Sequence, residues 1–197
     1  MIEVEKKFIL TNKQKRALIN EAEFLGEKKF TDIYYDDENY FLTGKDIWFR
    51  SRDGRFELKI PMNVHIKDRI SDQYKELENN KDILNYFNTD TQKPLEEFLS
   101  EKAYKPFCKI TTTRKKYKKN GFNIDLDSMD FGYTIAEIEY MTNDETKLEE
   151  ATNAIIAFAE EHNIDSAAVV RGKVVEYLRV NSCRHFQVLI DVGVIKE

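Results

Sequence analysis

Six short segments of this 197-residue chain carry charged side chains two residues apart, in most cases alternating with apolar residues. They are IEVEKKF (Glu3, Glu5, Lys7), IWFRSR (Arg50, Arg52), FELKI (Glu57, Lys59), TTTRKKYKK (Arg114, Lys116, Lys118), NIDLD (Asp125, Asp127) and AEIEY (Glu137, Glu139). A two-residue period puts the charges of each segment on one face of a β-strand and the apolar residues on the other. Taken alone, each segment reads as an antiparallel strand with one wetted face. A wetted face usually mixes signs, however, whereas Arg50/Arg52 is purely cationic and Asp125/Asp127 and Glu137/Glu139 are purely anionic. Like charges side by side on a sheet repel, so each group calls for a counter-ion. Carboxylate pairs suit a hard divalent cation such as Mg²⁺. Arginine pairs suit bidentate contact with phosphate. If the sheet closes with this face inward, an acidic wall would oppose a basic wall around a lumen fitted to a polyphosphate and its metal.

Such pairs need a scaffold. The dipeptides Asp53-Gly54 and Asn120-Gly121 lie between strand-like runs and predict two hairpins. A further strand is expected over Gln73 to Leu77. Helices are expected over 11–25, with Thr11 as N-cap, and near 79–88 and 94–102. The strongest helical pattern covers 144–163, where Leu148, Ala151, Ile155, Phe158 and Ala159 recur at helical spacing. The tail reads as two short helices joined by a turn. Parity shifts between Met62 and Arg69, which predicts a bulge or loop there. With about eight strands and more hairpins than crossovers, the expected class is α+β with a mostly antiparallel sheet.

Composition narrows the function. Hydrophobic residues make up 41% of the chain and charged residues 34%, and 13 Phe with 10 Tyr argue for a packed interior. A formal charge of -5 speaks against a nucleic-acid binder, although a local cationic site for a small anion is compatible with it. No apolar run approaches membrane-spanning length, and Cys108 and Cys183 lack metal-ligand spacing, so a reduced, cytoplasmic protein is expected. His65, His162 and His185 form no zinc motif, and there is no glycine-rich phosphate loop or GxSxG nucleophile. Phosphate chemistry here would have to use side chains.

The ordered series E-x-E-x-K (Glu3, Glu5, Lys7), R-x-R (Arg50, Arg52), E-L-K (Glu57, Lys59), Y-K-E (Tyr74 to Glu76), Arg114, D-x-D (Asp125, Asp127), E-x-E (Glu137, Glu139) and Lys173 resembles the signature of the CYTH superfamily, the triphosphate tunnel metalloenzymes. YYDDENYFLTGKDIWFRSR, LDSMDFGY and the closing KVVEYL are most similar to its thiamine-triphosphatase branch. The resemblance spans nearly the whole chain and implies one domain over 1–197, an eight-stranded antiparallel closed barrel with helices packed outside. It implies Mg²⁺-dependent hydrolysis of thiamine triphosphate to thiamine diphosphate and phosphate. Lys7, Arg50, Arg52, Lys59, Arg114 and Lys173 would clamp the phosphates. Asp125, Glu137 and Glu139 would hold Mg²⁺, and Glu3 and Glu5 a second metal, ordered waters or the positive end of the substrate. Glu76 and Lys75 would orient neighbouring cations, and Tyr34 would donate to a phosphate. Trp48 would stack on the cationic thiazolium or else belong to the core. Lys59, with Arg52 and Glu139, is the expected catalytic group, either activating water or steadying the leaving oxygen. The competing readings are an inorganic tripolyphosphatase and a non-catalytic organic-polyphosphate binder. A monomer without nucleic-acid or membrane partners is expected.

Overall fold

The computed structural model describes residues 2–63 and 69–196. The chain runs β1 (Ile2–Phe8), α1 (Asn12–Ile19), β2 (Glu23–Asp36), β3 (Trp48–Arg52), β4 (Arg55–Pro61), β5 (Asp72–Leu77), α2 (Asn80–Tyr86), α3 (Leu95–Glu101), β6 (Lys105–Lys119), β7 (Phe122–Met129), β8 (Thr134–Thr142), α4 (Leu148–Glu161), α5 (Lys173–Asn181) and α6 (Cys183–Asp191). The strands close into a barrel in the order β1-β5-β4-β3-β2-β6-β7-β8, and neighbours pair antiparallel throughout.

Both expected hairpins form. Asp53 (φ 49) and Gly54 (φ 85) join β3 to β4, and Asn120 (φ 51) and Gly121 (φ 87) join β6 to β7. Two consecutive positive φ values are what a type I′ hairpin turn needs, and its twist matches that of the strands. Thr11 caps α1 in a reciprocal capping box with Gln14. The helix expected over 11–25 stops at Ile19, because the EFL that follows enters β2 and pairs with β6 as far as Glu23↔Lys118. Tertiary pairing overrides local helical preference there. The helix expected over 144–163 likewise starts later, at Leu148, after one 3₁₀ turn. Most of the bulge or loop expected between Met62 and Arg69 lies outside the described residues.

The hydrophobic cores lie around the barrel and at one end of it. Val4, Phe8, Ile124, Leu126 and Ile138 pack beneath Ala151, Ile155, Phe158 and Ala159 of α4. Phe49, Phe56 and Leu58 pack against Ile83, Leu84, Leu95 and Phe98 of α2 and α3. Val174, Val175 and Leu178 of α5 and Leu189 of α6 join Ile110, Met129, Ile135, Tyr34, Trp48 and Tyr74 in a third cluster. Each fully buried Val, Leu, Ile, Phe or Met among them contributes roughly 1.5–3 kcal/mol. On β7 and β8 the face opposite the charges packs under α4, whereas Tyr34, Trp48, Tyr74, Ile110, Met129 and Ile135 of the third cluster share the inward parity of the charges. Among the described residues no helix is long and apolar enough to cross a membrane.

Candidate active site

The inward parity encloses a cavity of about 420 Å³. Its lining includes Glu3, Glu5, Lys7, Tyr34, Trp48, Arg50, Arg52, Glu57, Lys59, Glu76, Arg114, Lys116, Glu137, Glu139 and Lys173. The charged face of IEVEKKF is therefore part of an interior wall. With Asn123 of β7 also in the lining, residues from all eight strands and from α5 converge here.

Arg114 dominates the side built by β6, β7 and β8. It bonds Asp127 with Nε and Nη2 at 2.7 Å, Glu137 with Nη2 at 2.7 Å, and Asp125 with Nη1. Lys116 adds a looser contact, 3.5 Å from Asp125. With Glu139, 3.9 Å from both Arg114 and Lys116, four carboxylates face two cations. Asp125 Oδ1 is buried without a hydrogen-bond partner. Burial, then the charge of Asp125, pushes the Glu139 carboxyl up to about 8 against the pull of Arg114. Carboxylate oxygens of Asp125, Glu137 and Glu139 lie within 4.8 Å of one another, and so do those of Glu3, Glu5 and Glu139. An unpartnered oxygen, surplus negative charge and an all-oxygen donor set fit a hard divalent cation.

Across the lumen, Lys59 bridges Glu3 at 3.0 Å and Glu76 at 2.8 Å. Burial alone would lower its basicity, but Glu3, Glu5 and Glu76 outweigh that and hold it well above the usual lysine range. Its surroundings therefore favour the ammonium form. Lys59 and its neighbours hold Glu76 down to about 2 despite its burial. Lys7 pairs with Glu5 and Asp72. Arg50 meets Glu57 at 2.7 Å and donates to the Tyr34 hydroxyl at 3.3 Å. Burial pushes that phenol up to about 12, so it stays neutral and can donate. Arg52 and Lys173 both bind Asp32.

One end of the cavity is aromatic. Trp48 Nε1 and the Tyr74 hydroxyl each donate to Asp46 Oδ1 at 2.9 Å, and Arg69 bonds Asp46 and, at 2.6 Å, Asp72. Trp48 belongs to a buried cluster, as its core reading expected, and also lines the cavity.

Two expectations change. The walls do not segregate cleanly by sign, because each cation sits against carboxylates, as burial of charge requires. Lys75 is not in the site: its parity is that of Ile60 and Ile2, its strand partners, and it is exposed. Asp32, Asp46, Arg69 and Asp72 were missed. Asp32 shares the inward parity of Phe30 and Tyr34 and so left a signal, whereas Asp46 and Arg69 lie in connections without periodicity.

The chain is similar to human thiamine-triphosphatase, 24% identical over 216 residues, covering 100% of this chain and 93% of that protein. Among solved structures, the PH1819 protein from Pyrococcus horikoshii matches with a TM-score of 0.61 at 22% identity, covering 90% of this chain and 98% of its own. A Hippeastrum protein, provisionally an adenylyl cyclase and described as revealing a dominant triphosphatase activity, matches with a TM-score of 0.56 at 13% identity, covering 93% and 99%. The family model described as the CYTH domain matches residues 1–172, and with the closed barrel and its inward ion pairs in view, this chain belongs to the CYTH family.

Proposed function

We propose that this protein is a cytoplasmic, monomeric, Mg²⁺-dependent hydrolase that converts thiamine triphosphate to thiamine diphosphate and phosphate. The observation that carries the reading is the unpartnered Asp125 Oδ1 in a carboxylate group beside a cavity lined by Lys7, Arg50, Arg52, Lys59, Arg114 and Lys173. Pure phosphate binding would be served by the cations alone. The thiamine-triphosphatase name of the human relative supports the choice of substrate, as does the aromatic end of the cavity.

Asp125, Glu137 and Glu139 would hold Mg²⁺, with Glu3 and Glu5 forming a second donor set that shares Glu139. When bound, the ion supplies charge neutralisation and polarisation at phosphate oxygens. The six cations orient the phosphate chain and offset charge that spreads over the transferred group. Lys59, whose ammonium form is favoured by the carboxyl groups around it, steadies the leaving oxygen. Arg52, held in plane by the Asp32 carboxylate, presents its guanidinium to the same chain. Tyr34 donates a hydrogen bond to a phosphate oxygen. Water attacks the terminal phosphorus directly, and Cys108, buried with its thiol pushed far up, is a poor alternative nucleophile. Asp46 fixes the indole of Trp48, whose face receives the cationic ring.

A substrate panel tests this. With Mg²⁺ present, thiamine triphosphate should outperform tripolyphosphate and ATP in kcat/KM. Trp48→Ala should lower its kcat/KM about ten-fold while sparing tripolyphosphate. A second reading, an inorganic tripolyphosphatase, draws on the tight burial of Trp48, only 6% exposed. A wide preference for tripolyphosphate that Trp48→Ala leaves intact would select it.

A further inference from the structure

We propose that Asp32 is a positioning residue of the tunnel: from behind the cavity lining it holds Arg52, Arg50 and Lys173 aimed at the phosphate chain and ties the start of α5 to the barrel. This rests on the triphosphate reading of the cavity.

Asp32 is fully buried, and although Arg50, Arg52 and Lys173 line the cavity, Asp32 does not. Both of its oxygens are engaged. Oδ1 accepts from Arg52 Nε at 2.7 Å, and Oδ2 accepts from Arg52 Nη2 at 3.1 Å, a fork that fixes the guanidinium plane. Oδ2 also accepts from Lys173 Nζ, and Arg50 Nε lies 3.9 Å from Oδ1. Burial would raise this carboxyl, but Arg50, Lys173 and Arg52 hold it far below the ordinary range, so it stays anionic. Asp125 presents the opposite case, with one oxygen unclaimed. A carboxylate that lies behind the lining with both oxygens engaged is not placed to take a metal or a substrate. What it can do is set the direction of three cations that would otherwise repel one another.

Lys173 is the group most dependent on it. Facing Lys173 are Asp32 from β2, Arg50 and Arg52 from β3, and Arg114, Thr112 and Cys108 from β6. On the β1 side, a side chain added at Gly172 would come within 3.2 Å of Lys7 Cε, so the chain entering α5 is pressed against that wall. Burial lowers Lys173 to about 8, and among its neighbours Asp32 does most to keep it charged against the three arginines.

The test is calorimetric binding of tripolyphosphate at pH 7 with divalent ions chelated, with turnover measured separately. Asp32→Asn should bind about ten-fold more weakly. Its losses should not add to those of Lys173→Met, and the pH above which binding fades should move down as Lys173 loses its anion. Asp32→Glu keeps the charge and misplaces it, so it too should weaken binding, which covers the case in which Asp32→Asn does not fold. Binding by either variant as tight as wild type, or tighter, overturns the proposal, as does simple additivity with Lys173→Met. Wild-type binding without any triphosphate turnover removes the hydrolase reading alone and leaves these arms to decide the role of Asp32. No wild-type binding overturns the role of Asp32, and the hydrolase reading falls with it only if triphosphate turnover with Mg²⁺ is absent as well.

Discussion

β7 and β8 bury Ile124, Leu126 and Ile138 on one face and Asp125, Asp127, Glu137 and Glu139 on the other. The two faces reach similar burial by opposite means. Under α4, apolar groups leave water with a net gain, and packing density limits the result. In the lumen, desolvation opposes every charge, and only Arg114 and its counterparts make burial tolerable. The outer face is therefore where stability resides. The inner face gives some stability up to keep charges oriented where a phosphate chain can use them.

The largest test of this contrast is Glu139→Gln. It should lower Mg²⁺-supported kcat by at least about a hundred-fold while Tm moves by less than about 3 °C. The fold tolerates it because burial and Asp125 already raise this carboxyl to about 8, so a neutral side chain costs little there. Unchanged turnover at saturating Mg²⁺ would remove Glu139 from the metal set.

On the outer face Ile155→Ala should do the reverse. Ile155 is fully buried under α4, so urea unfolding should show a loss of about 2–5 kcal/mol. The kcat/KM of the folded fraction should be unaltered, and a matching fall in activity would mean that the two faces are coupled.

His185 sharpens the comparison by showing burial without a counter-charge. Its ring stacks on Tyr40 at 3.9 Å, and its Nε2–H donates to Thr43 Oγ1, which itself donates to Asp36. Burial lowers the imidazole to about 4 from an ordinary 6.5. As pH falls below 6.5 the unfolded chain takes up a proton that the folded chain refuses until about 4, so stability declines across that window and not above it. The contribution is on the order of 2 kcal/mol after discounting for solvent screening. Urea titrations at pH 7 and 4.5 should show a smaller pH-dependent loss for His185→Gln than for wild type, and equal losses would discard this account.

Much of the barrel was legible because its signals are local. Alternation in AEIEY or NIDLD needs only the two-residue repeat of a strand, and Asp53-Gly54 and Asn120-Gly121 needed only their tolerance of positive φ. The end of α1 was not legible: EFL joins β2 because β6, some ninety residues later, offers it a partner. The site divided in the same way. The inward residues of β1, β3, β7 and β8 announced themselves by type and spacing. Asp46 and Arg69 lie in connections where no period marks them, and Lys75 was drawn in by its motif although its parity turns it outward.

By itself, the sequence determined which residues share a strand face, where two hairpins turn and that acids and bases recur in matched pairs, because each depends on neighbours a few bonds away. Only the closed barrel decided which cation meets which carboxylate: Arg114 over Asp125 and Asp127, Lys59 between Glu3 and Glu76, and Lys173 on Asp32. Strand tilt and closure bring together groups as far apart as residues 32 and 173, and charges taken out of water must then pair with whatever that geometry sets within reach.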